Sequence, residues 1–185
     1  MFKLGIDVGG TNTKFIQFEK NTSNYDDAYI SIVRTPQNII SNNISYLNYE
    51  EIFKIIKTKI AEIGLEKISH ITLSGQMHSG ILLKNSKIID GPYSWQSEKN
   101  PNIIEQISSN KNIHDLKRGY PIFNISNLDG MYATLLTKIF GDLTNNYNLI
   151  HESEASATGF FDYQNKDWEH SVIDKFFPKI TLPSI

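Results

Sequence analysis

Phe2-Lys3-Leu4-Gly5-Ile6-Asp7-Val8-Gly9-Gly10-Thr11-Asn12-Thr13-Lys14-Phe15-Ile16-Gln17-Phe18 is the stretch on which the fold turns. Phe2, Leu4, Ile6 and Val8 alternate with other residues, and the glycine-rich turn runs straight into a second apolar stretch, Phe15-Ile16-Gln17-Phe18. This pattern predicts a β-hairpin, not a strand that feeds a helix. It argues against a Rossmann or Walker-type loop, since both need a helix at once. Tyr29 to Val33 supplies a third strand, stopped before Pro36, whose ring lacks the N–H that a ladder uses.

The period then changes. Ile52, Phe53, Ile56, Ile60 and Ile63 share one helical face, with Lys54, Lys57 and Glu62 away from it, so residues 49 to 63 are expected to be helical. Asn48 is the expected cap, with Glu51 at the third helical position and Gly64 as the stop. Such a crossover returns the chain to Ile68 to Leu73 as a buried parallel strand. Ile81 to Lys84 and Lys87 to Asp90 flank Asn85-Ser86 as a hairpin. Farther on, the expectations are a short helix over Pro101 to Ser109, a loop at Gly119-Tyr120-Pro121 and a helix over Met131 to Phe140 closed by Gly141. Two more helices are expected, Glu152 to Phe161, capped by His151 or Ser153, and Glu169 to Phe177. A frayed tail follows Pro178 and Pro183.

At the turn, successive backbone N–H groups suit an anion-binding nest, and Gly9 and Gly10 permit positive φ and close approach. Thr11, Asn12 and Thr13 add side-chain donors. Asp7, at the carboxyl end of its strand, is placed to hold the Mg2+ that accompanies ATP, and Lys14 either meets phosphate or points to solvent. The same string also fits a hairpin that only needs two glycines, with Asp7 in an Asx-type turn.

A second string, Ser74-Gly75-Gln76-Met77-His78-Ser79-Gly80, follows the apolar run 68–73. Gln76 and His78 exchange hydrogen bonds with hydroxyls, and the Met77 thioether offers an adaptable apolar wall, which together suit a sugar. The place beyond a strand's carboxyl end favours a ligand, although a lone His there is also commonly structural. Tyr93-Ser94-Trp95-Gln96 offers a ring beside an amide for stacking a sugar; the competing reading puts Trp95 in the core.

The 185 residues carry a formal net charge of -2 and no cysteine. The charge leaves no footprint for nucleic acid or an anionic membrane, so a small-molecule partner is expected. Disulfides, a thiolate nucleophile and a Cys-type zinc site are excluded. No apolar run approaches the roughly 18 residues of a membrane span, and no leader stands out, so cytoplasmic residence is expected. Asp90, Asp115 and Asp129 read as turn or cap residues, and His70, His114, His151 and His170 show no metal-ligand spacing.

The two strings, together with His151-Glu152-Ser153-Glu154-Ala155-Ser156-Ala157-Thr158-Gly159-Phe160-Phe161-Asp162 and Trp168, resemble the N-terminal domain of the FGGY carbohydrate kinases, xylulokinases especially. The resemblance implies a ribonuclease H-like (actin-like ATPase) α/β domain with a mixed sheet, its first three strands antiparallel and helices on both faces. Residues 1–185 are expected to form one such domain, incomplete at its C-terminal end. Asp7 would serve the metal and phosphate site, Gly9 to Lys14 the nucleotide phosphates, and Gln76, Met77, His78, Trp95 and Gln96 the sugar or polyol. ATP and Mg2+ are the implied cofactors. Glu154, Ser156 and Thr158 read mainly as capping and packing residues.

Two departures stand out. Ser97 takes the place where the family has Asp after its Trp, with Glu98 one position on and Lys99 following, and the family's catalytic Asp segment is not in these residues. The expectation is therefore a sugar-binding, phosphate-loop half with no useful kinase activity alone, served by a second chain or by self-association. The alternatives are a non-catalytic sugar-sensing module and an actin-like assembly protein.

Overall fold

Alternation in the opening residues becomes β1 (Phe2–Val8) and β2 (Asn12–Glu19), an antiparallel hairpin in register from Phe2 opposite Glu19 to Val8 opposite Thr13. The computed structural model describes residues 1–21, 27–97 and 128–185. Chain contacts divide these into two units, Met1–Gln37 with Asn48–Gln76, and Asn38–Leu47 with Met77–Ile185.

In the first unit, β3 (Tyr29–Arg34) pairs antiparallel with β2, which completes the expected meander. The chain then makes a short hairpin, β4 (Ile39–Ser41) and β5 (Ile44–Tyr46), that belongs to the second unit. It returns as helix α1 (Tyr49–Ile63), whose bounds match the periodicity and which buries Tyr49, Ile52, Ile56 and Ile60. Gly64 ends it at φ 89°, a conformation that favours glycine, but the Asn48 side chain makes no capping bond. After a 3-10 turn, β6 (Ile68–Gly75) runs parallel to β1 and sits at the end of the order β3-β2-β1-β6. The expectation of a buried strand needs correction, because among the described residues β6 has one neighbour and it alternates between half-buried and exposed residues. Leu4, Ile6, Val8 and Phe15 are each at most 1% exposed, and each such side chain contributes about 1.5–3 kcal/mol by leaving water.

The second unit is built on β7 (Gly80–Lys84) and β8 (Lys87–Tyr93), joined through Asn85 at φ 49° and Ser86 at φ 66°. Two positive φ values in a two-residue loop match the right-handed twist of the strands. The expected helix over Met131 to Phe140 is displaced: Gly130–Ala133 is strand β9, antiparallel to β7, and helix α2 is Leu135–Thr144. Thr134 caps α2, Gly141 lies inside it, and Asn145 ends it in the left-handed region at φ 59°. Glycine is needed at 141 because a Cβ there would collide with the Tyr147 ring.

The expected long helix over 152 to 161 shrinks to one turn, α3 (Glu152–Ala155), capped by His151 Nδ1. Thr158 Oγ1 turns back to the Ala155 carbonyl at 2.7 Å and accepts the Phe160 N–H, and Gly159 takes φ 84°. Helical propagation therefore stops, and the chain enters β10 (Phe161–Asp162), which pairs with β11 (Asp167–Trp168). After α4 (His170–Phe176), the tail expected to fray instead forms β12 (Ile180–Thr181), parallel to β9. Ile180 is 8% exposed, and Trp168 Nε1 donates to the Pro183 carbonyl at 2.8 Å. The sheet order is β12-β9-β7-β8-β5-β4. Its core gathers Leu82, Tyr132, Phe160, Phe161, Trp168 and Phe177. The expected helix over 101–109, the loop at 119–121, and Glu98, Lys99, His114 and Asp115 lie outside the described residues. Among the described residues, no helix is long and apolar enough to cross a membrane.

Candidate functional site

The parallel register sets Asp7 beside Ser74 and Val8 beside Gly75, so both sequence strings leave the sheet at the carboxyl ends of adjacent strands. The Asp7 carboxylate accepts the Ser74 hydroxyl at 3.1 Å and lies 3.6 Å from Lys14 Nζ. Both side chains of that ion pair are partly solvated, so the pair is screened and labile. Gln76 N donates to the Val8 carbonyl at 2.8 Å, and its Oε1 lies 3.7 Å from where a Cβ on Gly10 would sit. Gln76, expected to serve the sugar, is thus a neighbour of the Gly9-Gly10 turn.

The turn uses its glycines differently from the expectation. Neither Gly9 nor Gly10 adopts positive φ. Glycine is required at 9 for space, since a Cβ would stand 2.8 Å from the Asn12 carbonyl oxygen. The same close approach lets Gly9 N donate to that oxygen at 3.1 Å, so this amide closes the turn. Thr11 and Asn12 are exposed, whereas Thr13 is 1% exposed and shares a 2.9 Å hydrogen bond with Thr35, whose hydroxyl donates to the Gly9 carbonyl. Thr13 and Thr35 thereby brace the turn from beneath. Sequence reasoning missed Thr35 and Ser74.

In the second unit, His78 adopts φ 60° and its Nδ1 lies 3.0 Å from the Ala157 carbonyl. A carbonyl only accepts, so Nδ1 carries the proton. The following residue is held as firmly: Tyr132 donates to the Ser79 carbonyl at 2.9 Å, and Ser79 Oγ accepts the Leu135 N–H at 2.7 Å. Met77 stays 40% exposed. The third string therefore supplies a backbone partner for His78. Sequence pattern gives no sign of this, because a carbonyl has no residue identity.

Trp95 is 49% exposed, which removes the core reading of its ring. In the flanking residues, Asn38 Nδ2 approaches Ser45 Oγ, Ser94 Oγ and Gln96 Oε1 at 3.0 to 3.1 Å. Ser97 is 7% exposed and donates to the Ser45 carbonyl at 2.6 Å. The small hydroxyl at 97 is thus spent anchoring this segment to β5. Asp90, expected in a turn or cap, lies inside β8, where its carboxylate accepts from Gly91 N and Tyr93 Oη, and Asp129 pairs with Lys84 at 3.1 Å. Among the described residues, no group of three or more His, Asp or Glu side chains gathers to hold a metal. Asp7 with the Ser74 hydroxyl is the set best suited to Mg2+, which commonly takes one or two carboxylates and completes its shell with water and phosphate.

The chain is similar to known proteins in sequence and in fold. Gluconokinase from Bacillus subtilis (strain 168) is 27% identical over 195 residues, covering 93% of this chain and 37% of that protein. The crystal structure of gluconate kinase from Lactobacillus acidophilus matches all of this chain and 41% of its own, with a TM-score of 0.77 at 19% identity. Xylulose kinase from the same organism gives a TM-score of 0.76 at 19% identity over the same shares. The fold is therefore the mixed, ribonuclease H-like one expected, and the chain spans about two fifths of the length of these relatives. The model of the FGGY family of carbohydrate kinases, N-terminal domain, matches residues 2–126, well over half of the sequence, and the chain belongs to that family.

Proposed function

We propose that residues 1–185 form the sugar-binding and phosphate-loop domain of an ATP-dependent carbohydrate kinase, which transfers a phosphoryl group to a hydroxyl of a ketose, polyol or sugar acid. The observation that carries this reading is the β1–β6 register, which sets the Asp7 turn and the Gln76 string side by side at the carboxyl ends of parallel strands. Ligands of α/β sheets collect at such ends.

In this reading the exposed Thr11 and Asn12 side chains and the Gly10 backbone meet the phosphates, while Lys14 exchanges its partner Asp7 for a phosphate oxygen. Asp7, oriented by the Ser74 hydroxyl, would hold Mg2+, whose charge offsets the negative charge of the phosphates. His78, with Nδ1–H fixed on the Ala157 carbonyl, presents Nε2 toward a sugar hydroxyl, and Met77 covers the carbon face. Gln96 and the open Trp95 ring complete the recognition of the sugar. No described carboxylate stands as a base for the attacking hydroxyl, and a positioned base contributes roughly 10²- to 10⁴-fold. The 185 residues by themselves are therefore proposed to bind sugar without useful turnover.

Calorimetry of the polypeptide against gluconate, xylulose and glycerol, with and without MgATP, tests this. At least one polyhydroxy ligand should bind, and His78→Ala should weaken it by about tenfold or more, in line with loss of one buried hydrogen bond of about 1.5 kcal/mol. Binding of none of the three, or binding indifferent to His78→Ala, overturns the assignment.

A further inference from the structure

Glu154 is the residue of the second unit whose placement the proposed chemistry leaves unexplained. Its side chain is 8% exposed, and Oε2 has no hydrogen-bond partner. Burying an unpaired carboxylate costs far more than burying the neutral acid. Burial accordingly pushes its pKa up to about 7, with the Thr134 hydroxyl partly offsetting the effect. The titratable group that faces it is Tyr132 on β9, whose phenol is pushed up by burial and further by the Glu154 charge. Tyr132 cannot relieve the carboxylate without releasing Ser79, because its hydroxyl is donated to the Ser79 carbonyl.

The backbone of Glu154 leads to His78. The Ala157 N–H donates to the Glu154 carbonyl at 3.0 Å, and the Ala157 carbonyl is the partner of His78 Nδ1. One turn of chain thus carries both the buried acid and the group that fixes the imidazole. We propose that Glu154 is a positioning residue for His78, acting through the Ala157 carbonyl, and that a charge on its carboxyl releases the imidazole from the orientation that meets the sugar. This rests on the sugar-contact reading of His78.

The direction with pH follows from linkage. The folded state holds the Glu154 proton up to about pH 7, whereas the unfolded chain releases it near the ordinary value of 4.5. Stability conferred by the neutral acid is full below that ordinary value and is lost as pH rises through about 7. Between about pH 5.5 and about pH 8 the folding equilibrium constant of the native chain should fall roughly 30-fold on this account. Glu154→Gln keeps the shape without the titration, so that part of the fall should vanish, and Glu154→Met should behave alike.

Two measurements on native chain and variants separate positioning from mere stability: denaturant unfolding at the two pH values, and imidazole ¹⁵N NMR of His78 at about pH 8. The expected result is a pH-dependent loss of stability in the native chain only, together with loss of the Nδ1–H signature in the native chain and its retention in Glu154→Gln. Any change at His78 that does not depend on residue 154 is common to both proteins and cancels. An imidazole that responds identically in both, or a stability difference with no imidazole response, overturns the proposal. If the NMR response holds but none of gluconate, xylulose and glycerol binds either protein, the sugar-binding reading fails and the positioning stands.

Discussion

Helices α1 and α2 differ in where their limits come from. The bounds of α1 can be read from its own residues, with apolar side chains on one face and Gly64 at the end, yet the cap that the sequence advertises at Asn48 is not used. Helix α2 starts where distant groups dictate. Ser79 Oγ takes the Leu135 N–H, and β7 claims Met131 to Ala133 as a strand, while within the helix Gly141 makes room for the Tyr147 ring. A helix set by its own periodicity is legible from sequence; one set by neighbours about fifty residues upstream is not.

The largest effect that would sharpen this contrast is expected at Gly141. In an ordinary helix Gly→Ala gains about 1 kcal/mol in propensity. Here the new methyl would displace a ring whose hydroxyl donates to Asp142 at 2.6 Å and over which Lys138 Nζ sits at 5.3 Å from the centroid. Overpacking costs about 1–3 kcal/mol and a lost charged hydrogen bond about 1.5–3. We therefore expect Gly141→Ala to destabilise by about 2 kcal/mol in equilibrium unfolding. Stabilisation instead would mean that α2 obeys its own propensities as α1 does.

Much of the architecture was visible for the same reason that α1 was. The β1–β2 hairpin, β3 and the β7–β8 turn at Asn85-Ser86 are written in alternation and turn chemistry within a few residues. The short strands β9 and β12 are not, since two to four residues carry no period and are defined by the partner they pair with. The candidate site divides likewise. Its strings stand out, but the inward turn of Thr13 was missed although alternation signals it, for Thr13 lies two residues before buried Phe15 on one face of β2. The service of Ala157 to His78 through a main-chain carbonyl left no mark that any side-chain pattern reveals.

A middling effect is expected at the cap that sequence reasoning overlooked. Thr134 Oγ1 accepts the Thr137 N–H at 3.2 Å and exchanges a 3.0 Å hydrogen bond with the Thr137 hydroxyl. Thr134→Ala should cost about 1 kcal/mol, within the range for a lost threonine cap. The measurement belongs at about pH 5.5, where Glu154 is neutral and its contact with Thr134 contributes least. A change under about 0.3 kcal/mol would show that this end of α2 is held by Ser79 alone.

The smallest effect, at Asn48, is the most diagnostic of how α1 is held. Asn48 occupies the cap position, and its carbonyl accepts the Ile52 N–H at 3.0 Å, but its side chain makes no capping bond at ψ 70°. Substitution by alanine keeps that backbone bond and removes only an amide that bonds nothing in the helix. Asn48→Ala should therefore shift unfolding by no more than about 0.3 kcal/mol, against about 1 for an engaged cap. With its first end uncapped, α1 depends on Tyr49, Ile52, Ile56 and Ile60, each worth about 1.5–3 kcal/mol when buried. A loss near 1 kcal/mol at Asn48 would place the amide on the first turn in solution, and α1 would then share with α2 its dependence on a side-chain cap.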